Sequence, residues 1–422
     1  IYFFSWLNLM VALEYIWLIL IFILFFFFVV SRWRYFFFRT SILVTRIGAI
    51  FFLLALINVS VAFIKLQPES LTTYSAVGTN QPTRNKVSKA RVVWIIFDEL
   101  DERVAFVDRP KEVKMPALKK FRAEGIVAIN AQPPGDVTLY SMPGLFQGKF
   151  VDAAHYTEQD NLMLNFRDGS RILWTDSVGI IQKVKSLGMD IALLAQGGHA
   201  YCRLFAKYLS SCAENGRIWT SKHRNLFDGI KNVLLSVFEH IPLVYRLTRE
   251  KRVQEHQNLN KHLYNNFIDN VNRVLADPIH DLVIIHWNLP HRPFIYDYQS
   301  NEFSDRFSDE NPANIGSPSG YLGNLELTDI AFSAMRRALE RKNLWDSSAV
   351  IVSSDHRWRQ AEQLDGITSK KVPLMIKLPG QKASKIISKK VTAINSANLV
   401  WGLLTGHIKN TEEVIQAILV RK

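Results

Sequence analysis

Three places in the chain set ionisable side chains directly behind an apolar, β-branched run. "RVVWIIF" (91–97) is followed by Asp98 and Glu99, and "SAVIVSS" (348–354) by Asp355 and His356. "DLVIIHWN" (281–288) runs into "LPHRPF", which carries His291. Two carboxylates and an imidazole make a donor set for a divalent cation. A hydroxyl beside such a cation loses its proton more easily and can attack phosphorus or sulfur. "DVTLYSMPGLFQG" (136–148) supplies two hydroxyls for that role, Thr138 and Ser141. Taken singly, each residue has a plainer reading. Asp98 suits a helix cap or turn, the Asp355–His356 pair a solvated loop, and His286 a satisfied position in the core.

Groups so far apart in sequence meet only if the elements carry them to one edge. Short uninterrupted runs predict strands at 91–97, 126–131, 190–195, 281–288, 348–354 and 371–380. Apolar spacing predicts helices at 115–125, 262–276 and 321–343, alternating with the strands. The expected fold class is therefore α/β, a largely parallel central sheet flanked by helices. Ligands of open α/β sheets gather at the carboxyl ends of the strands. Asp98, His291, Asp355 and His356 all fall there, and Thr138 follows the strand at 126–131. Residues 301–320 are polar and read as a lid or an insertion.

The 422-residue chain carries a net charge of +13, and its first 65 residues hold only Glu14 among acids. A basic remainder suits an anionic substrate or surface as well as it suits a merely solvated face. No Arg/Lys run interleaved with aromatics suggests a nucleic-acid groove. Apolar runs at about 7–30 and 47–64 read as two transmembrane helices, and "SRWRYFFFRT" between them as a cytoplasmic loop. That arrangement predicts an integral membrane protein whose catalytic domain lies on the periplasmic or extracellular side. Residues 66–90 would be a linker and residues 91–422 the catalytic domain. The initial Ile suggests further membrane helices upstream. Cys202 and Cys212 would pair as a disulfide on an oxidising side of the membrane.

In this order the pieces resemble the alkaline phosphatase superfamily in its sulfatase-like branch. They look most like the membrane-anchored phosphoethanolamine and phosphoglycerol transferases. The resemblance covers roughly 91–150 and 281–380. "VVWIIFDE" is similar to the first strand with its metal-binding acid, which implies Asp98, with Glu99 sharing the role. "MPALKKFRAEGIVAINA" resembles the family's "TPNLDRLAAEG" segment and the strand after it. "PHRPF" resembles the PHxP element, implying that His291 contacts the transferred group. "SSDH" resembles the last metal motif, implying Asp355 and His356 as ligands, and "KVPLMIKLPG" the closing strand.

Two spacings of the family point to Thr138 as nucleophile and metal contact. Gly148 lies ten residues after it, and "SMP" begins three residues after it. Ser141 is then expected to cap a helix starting at Met142–Pro143. No CxPSR element is present, which disfavours a formylglycine sulfatase. Arg357 stands where the family's "DHG" has glycine. Arg357 and Lys371 are expected to reach the substrate anion. The resemblance implies a divalent cation, with Zn, Mn, Mg and Ca undistinguished. It further implies a phosphate or sulfate ester substrate, with a lipid donor and a glycan or lipid acceptor. A hydrolase using the same site and an inactive binding subunit are the alternatives.

Overall fold

The computed structural model describes short stretches within 20–49, residues 76–77, and residues 91–419 apart from 158–160, 198–199, 216–241, 305 and 307–315. The chain divides into two compact units, Ile1–Glu69 and Ser70–Lys422. In the first unit residues 20–32 and 44–49 are helical. The spans expected at about 7–30 and 47–64, and most of the expected linker, lie largely outside the described residues. Among the described residues no helix is long and apolar enough to cross a membrane. The expected localisation, an integral membrane protein with an outward-facing catalytic domain, is corrected on that finding.

The second unit is built on one large sheet. In chain order its strands are β1 (Ala76–Val77), β2 (Arg91–Asp98) and β3 (Ile126–Gln132), followed by a separate three-stranded sheet, β4 (Val151–Tyr156), β5 (Leu162–Phe166) and β6 (Arg171–Leu173). Then come β7 (Ile191–Gln196), β8 (Ser211–Asn215), β9 (Leu282–Pro290), the pair β10 (Tyr296–Asp297) and β11 (Glu302–Phe303), β12 (Ser348–Ser354), β13 (Val372–Lys377), β14 (Lys385–Ile387) and β15 (Val391–Thr392). The large sheet runs β1-β8-β7-β9-β2-β12-β13-β3-β14, with β15 also paired to β3. From β8 to β12 every pairing is parallel; β13 is antiparallel to both β12 and β3.

The strands are apolar throughout because helices cover both faces of a parallel sheet. Val92, Trp94 and Ile96 point into one core, Val93, Ile95 and Phe97 into the other. Four helices matter for the site: α1 (Pro116–Glu124), α2 (Thr138–Gln147), α3 (Pro242–Ala276) and α4 (Pro318–Arg341). α2 packs Met142, Leu145 and Phe146 into the core that holds Trp94 and Ile96. α3 ends at β2: Arg91 donates to the carbonyls of Leu275, Val274 and Asp277 at 3.0, 3.2 and 2.8 Å. A cation is favoured at that carboxyl end of a helix.

Candidate active site

The parallel register does the assembling. Ser354 lies opposite Phe97, so Asp355 comes level with Asp98 just beyond the strand ends. His286 lies opposite Ile96, two residues before Asp98 and therefore on the same face of the sheet. That is the face on which α2 packs, so Thr138, the first residue of α2, faces the same cluster.

Asp98, His286 and Asp355 each bring one ligand atom within 4.8 Å of the others, and all three are buried. His356 Nε2 stands 3.6 Å from Asp98 Oδ1 and 3.4 Å from Asp355 Oδ2. His356 Nδ1 lies 2.9 Å from the Arg357 carbonyl oxygen. A carbonyl only accepts, so Nδ1 carries the proton and Nε2 presents its lone pair to the acids. Asp355 Oδ1 accepts from the N–H groups of Glu99 (3.1 Å) and His356 (2.7 Å), which leaves Oδ2 turned into the cluster. Asp355 Oδ2 and Asp98 Oδ1 are buried and accept no hydrogen bond among the described residues.

Burial, first, and then Asp355 and Glu99 raise the Asp98 carboxyl well above the usual carboxylate range; Arg359 and a hydrogen bond from Thr138 oppose the shift. Two crowded carboxylates with unpartnered oxygens, beside imidazole nitrogens, fit a divalent cation in chemistry and in electrostatics. Thr138 Oγ1 stands 3.3 Å from His356 Nε2 at the border of this cluster.

The other predicted residues divide. Glu99 adopts a left-handed φ of 63°, which costs a non-glycine residue of the order of 1–3 kcal/mol. Its carboxylate accepts from Arg359 Nε at 2.7 Å. His291 is drawn to the site by its N–H, which donates to the Asp98 carbonyl at 3.1 Å. His291 Nδ1 donates to the Arg292 carbonyl at 2.6 Å, and Arg359 Nη2 donates to His291 Nε2 at 3.3 Å. Burial lowers the His291 pKa, Glu99 and the Arg292 carbonyl raise it, and Arg359 lowers it further.

Arg357 donates from Nη1 to the Trp358 carbonyl at 3.4 Å, and its charge acts on Asp101. Lys371 is exposed at the foot of β13, where its charge acts on Glu102. Ser141 is not a cap: α2 begins at Thr138 behind Val137, and Ser141 is buried inside its first turns. Cys202 and Cys212 are joined by a disulfide ten residues apart. Tyr201, the residue before Cys202, has its hydroxyl 3.2 Å from His286 Nδ1.

Sequence reasoning missed two residues. His286 was set aside as a core histidine. Its signal was parity: it shares a strand face with Asp98 once β2 and β9 are placed in register. Arg359 lies four residues beyond Asp355 in a loop, with no periodicity to mark it.

The family described as Sulfatase matches residues 90–406. No curated protein matches the chain. Solved structures similar to it include Ps i-CgsB in complex with k-i-k-neocarrahexaose, at 13% identity and TM-score 0.49 over 77% of this chain and 74% of that one. The phosphonate monoester hydrolase of Agrobacterium radiobacter is similar at 12% identity and TM-score 0.48, over 77% and 78%. A protein in the alkaline phosphatase superfamily from Vibrio parahaemolyticus is similar at 11% identity and TM-score 0.47, over 79% and 70%.

Proposed function

Because the chain belongs to the sulfatase family and is a sulfatase-like enzyme of the alkaline phosphatase superfamily, we propose that it cleaves a phosphodiester by transferring the substituted phosphoryl group to Thr138 and then to an acceptor hydroxyl. The observation that carries this is the position of Thr138 Oγ1, 3.3 Å from His356 Nε2 at the edge of the Asp98–Asp355 cluster.

Asp98, His286, Asp355 and His356 would hold the divalent cation. When bound, it would lower the pKa of a nearby hydroxyl and offset charge on the phosphoryl oxygens. Thr138 Oγ1 forms a bond to phosphorus as the bond to the leaving alcohol breaks, and the threonine proton passes to solvent. The N-terminal position of Thr138 on α2 adds a favourable dipole for the anion. Arg359 contacts the non-bridging oxygens, with Glu99 and His291 holding the guanidinium in place. In the second step the acceptor oxygen attacks phosphorus and the Thr138 ester bond breaks. The donor is of phosphoethanolamine or phosphoglycerol type, and the acceptor is a hydroxyl of a glycan or lipid. A threonine at the nucleophile position, where a formylglycine enzyme needs cysteine, favours phosphorus over sulfur.

The test is turnover of aryl phosphodiester, phosphomonoester and sulfate probes with added divalent cation. The diester is expected to be preferred, and Thr138→Ala to lose roughly 1000-fold or more. Mass spectrometry of quenched enzyme is expected to find the substituted phosphoryl group on Thr138. Undiminished turnover by Thr138→Ala would overturn the assignment. Label released only into water, with acceptor alcohols present, would favour a hydrolase using the same site.

A further inference from the structure

Helix α4 sends two side chains, three residues apart and so on one face, against the backbone of two separate site loops. Tyr321 Oη donates to the Glu99 carbonyl at 2.7 Å and accepts from the Asp101 N–H at 3.2 Å. Its ring stacks on Trp358 at 4.0 Å, in the loop that carries Arg359. Asn324, wholly buried, spends its amide on the loop that carries His291. Its Nδ2 faces the carbonyl oxygens of Pro290, His291 and Pro293 at 3.3, 3.0 and 3.0 Å. Its Oδ1 accepts from the Ile295 N–H at 2.9 Å.

That loop is short of donors of its own. Pro290 and Pro293 have no N–H, and a buried carbonyl without a partner is costly. The Asn324 amide supplies what the two prolines lack. The helix also lies unusually close to this segment. A methyl at Gly323 would collide with the Tyr296 carbonyl oxygen, and one at Gly320 with the Phe294 ring. The two loops carry Glu99 and His291, which are the two partners of Arg359.

We infer that Asn324 is a positioning residue for His291, and that with Tyr321 it fixes the separation of Glu99 and His291 that Arg359 spans. The catalytic consequence rests on the proposed reaction, whereas the geometric one does not. Asn324→Ala removes the amide. Asn324→Asp keeps its shape and its acceptor but removes the donor.

In the full chain, at a temperature well below each variant's unfolding transition, hydrogen exchange of residues 289–297 is expected to rise about tenfold in both variants. Exchange in β2 is expected to stay unchanged. Unaltered exchange at 289–297 would overturn the inference. Turnover of an aryl phosphodiester supplies the second measurement. Asn324→Ala is expected to lose roughly 10- to 100-fold in kcat with little change in KM. In a His291→Ala background the same substitution is expected to lose nothing further. A full additional loss there means that Asn324 does not act through His291, and the positioning role falls. If the wild-type chain turns over no ester, the proposed reaction fails, and the exchange measurement still decides the geometry.

Discussion

Asp98 and Glu99 are adjacent acids in opposite surroundings. Asp98 Oδ1 has no hydrogen-bond donor among the described residues and faces His356 Nε2, whereas Glu99 is paired with Arg359 at 2.7 Å. The backbone at Glu99 is left-handed, and the Tyr321 hydroxyl on its carbonyl holds that turn. Glu99→Gln is therefore expected to keep bound divalent cation after dialysis, measured by elemental mass spectrometry. Asp98→Asn and Asp355→Asn are expected to lose it, since a neutral amide removes the charge that offsets the cation. Loss of cation from Glu99→Gln equal to that from Asp98→Asn would make Glu99 a ligand after all. At this scale the sequence singled out Asp98, Asp355 and His356 as candidates, because an acid placed at once behind a buried strand marks the ligand edge of a sheet, and the structure brings the three side chains together. It read His286 as a core histidine, because a histidine inside a strand acquires its meaning only from the register with β2. Arg357 and Lys371 were expected at the anion from the family pattern, and the loop after β12 adds a further cation, Arg359, paired with Glu99.

Helix α1 begins without a side-chain cap of its own: Met115 precedes Pro116 and offers no acceptor. Asp329 from α4 fills the place, accepting from the N–H groups of Ala117 at 3.0 Å and Leu118 at 2.7 Å. Burial raises its pKa from 3.8 to about 6, partly offset by those two hydrogen bonds. A folded-state pKa raised above the unfolded value means that the folded chain binds the proton more tightly. The stabilising contribution is full below pH 4 and is lost as pH rises to about 6. Urea unfolding of wild type and Asp329→Asn across pH 4 to 7 isolates it. The stability difference is expected to move against wild type by up to about 3 kcal/mol over that range. A difference that stays flat with pH would show that the carboxyl is already ionised at pH 4. The elements themselves were legible where one pattern dominates. Uninterrupted β-branched runs gave the central strands, and the apolar stripe of α4 gave the helix. The small sheet β4–β6 was not legible, because its strands are short and only partly buried. α3 begins 20 residues before the expected start at 262, since "PLVYRLTREKRVQEHQNLNK" shows no sustained apolar stripe to read.

At the scale of the whole molecule, the sulfatase match spans residues 90–406, the greater part of the second unit. The apolar runs before it prompted the membrane reading, yet hydropathy of a segment and a helix long enough to span are different properties, and the described helices lack the second. What the fold of the second unit does require is a counter-charge. The large sheet buries Asp98 and Asp355 to 4% and 0% exposure, side by side, and pushes the Asp98 carboxyl upward. Without a cation the folded state must keep a proton there or bear the repulsion; the unfolded chain does neither. A cation that binds only the folded state stabilises it by RT ln(1 + [M]/Kd), about 2.7 kcal/mol at a hundredfold excess over Kd. For a chain of this size that is a rise of about 3 °C in Tm. Calorimetric scans are expected to move upward on adding the divalent cation that supports turnover, and back on adding chelator. Asp355→Asn is expected to scan alike under both conditions, since it lacks the charge that draws the cation. A wild-type transition that neither cation nor chelator moves would mean that the cluster is held by a shared proton, and the site would lose its claim to a metal.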